Sequence, residues 1–438
     1  MEGWRTPVPS GMSEQRTWSS AIREAETLRV VLLAIHFRIN CLYAARSRLF
    51  DSSHQAVNHI AIVNRGLLVH LMSPSLDSAI RASANRISHY IEVHRGHRQV
   101  PLYDHIRKRR SERAARSRPL KLIYLDTNAW KCVSDFRRNK ENLTPAMKTF
   151  GVSIERAVLT GRFAFPIGVP TYFELDSMTD PATRETLTRL VDELSQGFCI
   201  TPFPDRVGSE LRKLRMGKLD EPEGLEDFLC SPIELMGIPT ISTLGFLESH
   251  VDKEAFNKAF FDALSELPFS FQLEVAGTYP GAKWDNSRGI ADLNGGKAAH
   301  QSEMVNLNTG IFVELKGCIE AWFREEVITI SQQEVGLYAL QAQYHWHETP
   351  ASRALPTLRV LSSLYGLMRF DPQRRYQNGD PSDFMVAASA LPVADALFTD
   401  RKLANLLSDK RIGLDRFSDC TVVSGFESMA MYLEEQLR

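Results

Sequence analysis

The stretch KLIYLDTNAW, residues 121–130, carries the clearest fold signal in the chain: an apolar run that ends in an acid. The run from Leu122 to Leu125 is short, bounded by polar residues and rich enough in aliphatic and aromatic side chains to predict a buried strand. Asp126 ends that strand and is followed by Thr127 and Asn128. Taken alone, Asp126 fits a turn residue and a metal ligand equally well.

Similar strand signals recur along the chain and alternate with helical patterns. Strands are predicted at residues 163–170, 198–204, 396–400 and 420–427. Helices are predicted between them, and the helix that begins near Asp380 has the strongest start signal, because a Gly precedes an N-cap acid and a Pro follows at the first helical position. Strands that alternate with helices predict an α/β fold with a parallel sheet.

The 438 residues suggest two or three domains. The predicted α/β part consists of residues 119–205 and 330–438. The residues between these parts, 206–329, have a looser pattern of helical pieces and Gly-rich loops, which predicts a mainly helical insertion. Residues 1–118 form a basic N-terminal region, predicted to be mainly helical or partly disordered.

Charge is unevenly distributed between these regions. Residues 1–118 hold 19 Lys and Arg against 9 Asp and Glu, whereas the remainder holds 33 against 44. Helical patterns cover residues 19–50 and 76–91, and the basic stretch at 106–119 is predicted to be a linker or a basic arm. Such a stretch can contact a phosphate backbone, while a solvated linker is the alternative.

Several protein classes are disfavoured by composition. The six cysteines form no Cys-x-x-Cys pair, so neither a zinc ribbon nor a disulfide framework is expected, and a reducing cytoplasm fits the chain. No signal peptide is recognised at the start, and no apolar run reaches the roughly 20 residues of a membrane span. Neither a Walker-type loop nor a GxGxxG loop is present, so no nucleotide cofactor is expected.

Four acids are assigned to one edge of the predicted sheet by separate local signals. Asp126 and Asp400 each end a strand, whereas Glu174 and Asp383 are placed in the first turns of helices. Ligands of open parallel sheets bind beyond the carboxyl ends of the strands. When each acid is considered alone, a turn, a helix cap or compensation of the helix dipole can explain it. When the four are considered together, their placement favours a shared site.

Carboxylates held close together repel one another, and a divalent cation removes that repulsion. Oxygen ligands select hard cations, so Mg²⁺ or Mn²⁺ is the expected cofactor, bound by Asp126, Glu174, Asp383 and Asp400. Such ions activate water and neutralise charge on a phosphodiester in transition. Because no nucleophilic Ser or Cys motif accompanies the acids, metal-assisted hydrolysis is the expected reaction.

At these residues the chain resembles the PIN-domain ribonuclease family. The resemblance lies in IYLDTNAW (123–130), FPIGVPTYFEL (165–175) and DPSDFMVAASALPVADALFTDRKL (380–403), and it covers less than half of the chain. It implies a three-layer α/β/α sandwich with a parallel central sheet, and Asp126, Glu174, Asp383 and Asp400 as the four acids of a divalent-metal site. Thr127 and Asn128 match supporting residues, and Asp395 matches a position that is usually not catalytic.

The sequence therefore predicts a metal-dependent nuclease, with RNA ahead of DNA as the substrate. Arg374, Arg375 and Arg401 flank the acids and are candidate phosphate contacts, with ordinary surface charge as the alternative. A non-catalytic nucleic-acid-binding or regulatory protein of the same fold, and a phosphatase for small esters, are the other hypotheses. A protein partner or inhibitor and a homo-oligomer are left open, and no membrane contact is expected.

Histidines offer a weaker metal signal. His345 and His347 form an H-x-H pair, but on a helix the two side chains point apart, which favours a non-ligand role. His94, His97 and His105 lie in the basic region without paired cysteines, so metal binding there is the less favoured hypothesis.

Overall fold

The structure of the protein is a computed structural model that describes residues 74–221, 223–238, 252–277 and 287–438. The helix predicted at residues 19–50 lies outside these ranges. The helix predicted at residues 76–91 is confirmed and extends over Pro74–Arg95.

The described strands and helices are numbered here in chain order. The strands are β1 (Lys121–Leu125), β2 (Phe163–Ala164), β3 (Cys199–Ile200), β4 (Leu229–Cys230), β5 (Ala396–Thr399) and β6 (Thr421–Ser424). The first nine helices are α1 (Pro74–Arg95), α2 (Leu102–Ser117), α3 (Thr127–Arg137), α4 (Pro145–Leu159), α5 (Val169–Ser177), α6 (Pro181–Ser195), α7 (Phe203–Arg215), α8 (Leu225–Phe228) and α9 (Pro232–Met236). The others are α10 (Lys253–Ser265), α11 (Phe269–Gly277), α12 (Ser287–His300), α13 (Leu307–Glu325), α14 (Gln332–Glu348), α15 (Pro356–Phe370), α16 (Asp380–Ala390), α17 (Arg401–Leu407) and α18 (Phe426–Leu437).

A four-stranded parallel sheet lies at the centre, in the order β2-β1-β5-β6. β2 pairs with one side of β1. β5, which lies nearly three hundred residues later in the chain, pairs with the other side. The strand order therefore reverses between β1 and β5. In open α/β sheets such a switch point is where ligands bind.

Both faces of the sheet are covered by helices. Alternate residues of β1 enter different cores: Ile123 and Leu125 pack with α3, α4, α6 and α18, whereas Leu122 and Tyr124 pack with α7, α13, α15 and α16. Because successive side chains of a strand point to opposite faces, an all-apolar strand needs cover on both sides. The mixed α/β class with a parallel sheet is confirmed, and the two helical layers are compatible with the predicted sandwich.

Two predicted strands are shorter than expected. The strand predicted at residues 163–170 pairs with β1 only over Phe163 and Ala164. Pro166 follows and has no N–H to continue the ladder, although Ile167 still forms a single bridge with Cys199. The strand predicted at 198–204 is also cut to two residues, and it pairs antiparallel with β4 rather than joining the central sheet by a full ladder.

Most of the basic stretch at residues 106–119, predicted to be a linker or a basic arm, is helical. Residues 106–117 belong to helix α2, and their composition of Arg, Ala, Glu and Lys explains this, because these are strong helix formers. Arg109 and Arg110 are used internally: they pair with Asp262 and Glu234, at 3.0 and 2.6 Å. These guanidinium groups therefore hold α2 against the segment predicted as an insertion.

That segment also packs directly against the sheet layer. Helix α7 runs across the predicted boundary at 205/206, and Arg206, 3% exposed, donates to the backbone oxygens of Thr201 and Ala388. The carboxylate of Glu210 accepts hydrogen bonds of 2.9 Å from the N–H groups of Thr357 and Leu358, at the start of α15. A buried side chain from α7 thus serves as the helix cap for α15, whose own N-cap residue offers no side-chain bond. The division of the chain at 205/206 stays a prediction.

Helices α13 and α15 cross at two glycines. A Cβ atom at Gly366 would lie 2.6 Å from the backbone nitrogen of Ile311, and one at Gly310 would lie 2.6 Å from the carbonyl oxygen of Gly366. Real Cβ atoms do not approach backbone so closely, so the crossing requires glycine at both positions. Gly317, also on α13, has no neighbour within 4 Å of the equivalent atom.

We predict that Gly366→Ala lowers the free energy of unfolding by roughly 1–3 kcal/mol, the usual cost of overpacking a close contact. Gly317→Ala is the matched control and is expected to stabilise the protein by about 0.5–1 kcal/mol through helix propensity. Urea unfolding of both variants measures the difference. Equal effects of the two substitutions would contradict the close crossing.

Candidate active site

Asp126 and Asp400 lie side by side at the switch point of the sheet. Leu125 pairs with Phe398, and the N–H of Asp126 donates to the carbonyl oxygen of Phe398 at 3.0 Å. Asp400 follows β5 directly after Thr399. The two strand-end acids therefore occupy the same edge, as the sequence predicts.

Each of these two acids also begins a helix. Asp126 is the N-cap of α3 and accepts from the N–H of Ala129 at 3.1 Å, and Asp400 is the N-cap of α17 and accepts from Leu403 at 2.8 Å. The hydroxyl of Thr399 also donates to Asp126. An ionised carboxylate has about four lone-pair positions, so the capping and ligand roles are compatible. The caps fix the orientation of both side chains.

Helix α16 brings in Asp383, and with it an acid that the sequence analysis did not include in the site. The N-cap is Gly379, so Asp380 is the first residue of the helix rather than its cap, and Asp383 lies in the first turn as predicted. Asp380 is only 3% exposed, accepts from the N–H of Gln377 at 2.7 Å and pairs with Lys402. The sequence signal for this ion pair is Lys402, a cation that lies two residues after Asp400.

Glu174 is placed differently from the prediction. Helix α5 begins at Val169, so Glu174 lies in its second turn and not in the first. It nevertheless faces the start of α16, because the hydroxyl of Ser382 donates to Glu174 Oε1 at 3.1 Å. Ser382 precedes Asp383 in the chain, so this contact links Glu174 to the first turn of α16.

Three of the acids influence one another electrostatically. Burial and the negative charges of Asp400, Asp380 and Asp126 together raise the pKa of Asp383 to about 7, against an opposing effect of Lys402. Burial also raises the pKa of Asp126, as does the charge of Asp400, while the hydrogen bonds from Ala129 and Thr399 lower it. Such mutual repulsion is the condition that a bound cation relieves.

The acids are more widely spaced than a closed ligand cage. Within the ranges that the structure describes, the group of three potential metal ligands whose binding atoms all lie within 4.8 Å of one another is His94, His105 and Asp262, and none of the four predicted acids belongs to such a group. Mg²⁺ keeps several waters and is commonly held by one or two carboxylates directly. The oxygen-only donor set at the switch point fits Mg²⁺ or Mn²⁺ bound in that way.

The predicted supporting residues differ in their exposure and in whether they are already paired. Thr127 is buried and Asn128 is exposed. Arg374 pairs with Asp371 at 3.3 Å, whereas Arg375 and Arg401 are exposed. A cavity of about 220 Å³ beside the acids is lined by Arg374, Arg375, Asp380, Asp383 and Lys402 among others.

No protein-family model, curated protein or solved structure matches the chain at a significant level. None of the helices in the described ranges is both long and apolar enough to cross a membrane.

The raised pKa of Asp383 predicts a pH-dependent stability. The folded state holds this proton up to about pH 7, whereas the ordinary carboxyl value is 3.8. The favourable contribution is therefore complete below the ordinary value and is lost as the pH rises through about 7. In chelator, we expect Asp383→Asn to melt above the wild type at pH 8, by roughly 1 °C for each kcal/mol relieved in a chain of this length, and the advantage to shrink at pH 5.

Thermal melts at the two pH values, with and without Mg²⁺, test this expectation. Mg²⁺ should raise the melting temperature of the wild type at pH 8 more than that of Asp383→Asn, because only the wild type has the full set of charges. Asp419→Asn is the control, since Asp419 is 95% exposed and lies ahead of β6 at the other edge of the sheet. A difference between wild type and Asp383→Asn that does not vary with pH would refute the assigned charge repulsion.

Proposed function

We propose that the protein is a metal-dependent nuclease with a PIN-like fold that hydrolyses phosphodiester bonds, with RNA as its main substrate. The observation that carries this proposal is the placement of Asp126, Asp383 and Asp400 at the switch point between β1 and β5, where burial and the neighbouring acids raise the pKa of Asp126 and of Asp383. Acids are rarely gathered in a half-buried position unless they serve a cation or a reaction.

The donor set supports the choice of cation. Asp126, Glu174, Asp383 and Asp400 offer carboxylate oxygens, which suit Mg²⁺ or Mn²⁺. When bound, such an ion lowers the pKa of a coordinated water and balances the charge that develops on the phosphate. The pairing of three blocks from distant parts of the sequence at one sheet edge supports the resemblance to PIN-domain ribonucleases.

The chain's own groups hold the acids in place. Backbone N–H groups at the starts of α3 and α17 orient Asp126 and Asp400, and Ser382 orients Glu174. Lys402 pairs with the buried Asp380 and also opposes the effect of the neighbouring acids on Asp383. Groups fixed in this way need no reorganisation when substrate arrives, which is the general advantage of a preorganised site.

The cations beside the acids are the proposed contacts to the substrate. Arg375 and Arg401 are exposed, and both are close in sequence to groups of the acidic edge. Guanidinium groups bind phosphate oxygens in a forked geometry, so these two residues are the proposed backbone contacts. Arg374 is a weaker candidate because Asp371 already engages it.

The decisive experiment is cleavage of single-stranded RNA with Mn²⁺ by the full chain. Asp126→Asn together with Asp383→Asn is expected to reduce the rate at least about 10²-fold, because charge stabilisation by a bound ion contributes several kcal/mol. Asp419→Asn makes the same chemical change at the other edge of the sheet and is expected to retain the wild-type rate.

Two outcomes would count against the proposal. Cleavage that persists in the double variant would remove the acids from the mechanism. RNA binding that persists in chelator, with no cleavage of RNA or DNA by the wild type, would favour a non-catalytic nucleic-acid-binding or regulatory protein of the same fold.

A further inference from the structure

A second cluster of metal-ligand side chains lies away from the acidic edge, where three helices meet. His94 near the end of α1 and His105 on α2 both face Asp262 on α10. Their Nε2 atoms lie 2.9 Å from Asp262 Oδ2 and Oδ1 respectively. The three potential ligand atoms all lie within 4.8 Å of one another.

The cluster is buried. His94 is 7% exposed, and the side chains of His105 and Asp262 are 11% and 4% exposed. Three polar side chains from three helices, all removed from water, need partners for every donor and acceptor. Either a shared cation or a network of hydrogen bonds can satisfy such a group, and the distances between the ligand atoms bear on which of the two is present.

We propose that His94, His105 and Asp262 bind a zinc-class transition-metal ion. Zinc–nitrogen and zinc–oxygen bonds of about 2.0–2.2 Å in a tetrahedral site place the ligand atoms about 3.3–3.6 Å apart. The Nε2 atoms of His94 and His105 lie 2.9 Å from different oxygens of Asp262, and one ligand atom from each residue can be chosen so that all three lie within 4.8 Å of one another. A cation would require the imidazoles and the carboxylate to rearrange around it, with a fourth ligand completing the coordination.

The two nitrogen ligands distinguish this site from the acidic edge. Imidazole suits zinc, copper or nickel, whereas Mg²⁺ and Mn²⁺ prefer oxygen ligands.

Arg109 provides the supporting contact that metal-binding carboxylates usually have. Its Nε and Nη2 atoms donate to Asp262 Oδ1 and Oδ2, both at 3.0 Å. Part of its own charge is taken up by Glu112 at 3.0 Å. The other nearby cation, Lys258, is directed away to the backbone oxygens of His97 and Val100. These contacts hold the carboxylate in place while leaving its oxygens shared with the two imidazoles.

The site would fasten the two helices that precede the sheet to α10, from the predicted insertion. Because the ligands come from three separate helices, metal binding stabilises only the folded arrangement and not the unfolded chain. The inferred role is therefore structural, and it is independent of whether the acidic edge is a nuclease site.

Zinc titration of the full chain, stripped of metal by chelator, tests the proposal. We expect the wild type to bind one tightly held zinc, to gain thermal stability from it, and to give the visible absorption of four-coordinate cobalt when Co²⁺ replaces zinc. Losing an outer-sphere partner costs roughly 10–100-fold in metal affinity. Because His105→Gln removes a direct ligand, it should weaken zinc binding by at least that factor. Asp126→Asn with Asp383→Asn should leave this binding intact, which separates it from ions at the acidic edge.

The choice of Gln makes the test selective. Its side-chain amide still donates a hydrogen bond to Asp262 but is a poor zinc ligand, so a purely hydrogen-bonded cluster would tolerate the change. His97→Gln is the matched control, because His97 is exposed just beyond the end of α1. Equal zinc affinity and equal cobalt spectra for the wild type and folded His105→Gln would overturn the site and leave a hydrogen-bonded cluster.

Discussion

The acidic edge of the sheet depends on one constraint: burial and like charges disfavour the ionised forms of the carboxylates that the fold gathers there. Asp383 experiences this most strongly, since burial and three neighbouring acids raise its pKa to about 7. The surrounding architecture reduces the cost through helix starts that cap Asp126 and Asp400, and through Lys402 beside Asp380. The parallel sheet is what brings these helix starts together, because the carboxyl ends of its strands share one edge.

The segment predicted as an insertion packs directly against the helices that cover the sheet. Arg206 and Glu210 on α7 are buried against α16 and α15 respectively, and Glu210 replaces the missing cap of α15. Buried ionic groups are costly to desolvate and specify their partners narrowly. Removing α7 would therefore leave polar groups of α15 and α16 unsatisfied, which makes this region a support for the acidic edge.

Local patterns were sufficient to predict the strand ends at Asp126 and Asp400, because apolar runs and helix-start residues lie within a few positions of each acid. They were insufficient wherever the outcome depends on distant residues. The packing of α2 against α10 depends on the pairing of Arg109 with Asp262, and the contact of Asp380 with Lys402 is formed only after α16 and α17 meet. His94 and His105 have no ligand spacing in the sequence, since their common partner lies more than 150 residues away.

Sheet topology also determines the order in which the protein can fold as it is synthesised. The N–H of Leu122 on β1 donates to Asp395, which is 273 residues further along the chain. At about 5–20 residues per second, ribosomes need on the order of 15–55 s to make that length. Throughout that interval β1, an entirely apolar strand but for Lys121, lacks its neighbour β5. During synthesis the β1 edge that faces β5 is therefore an unpaired apolar edge that needs protection against aggregation.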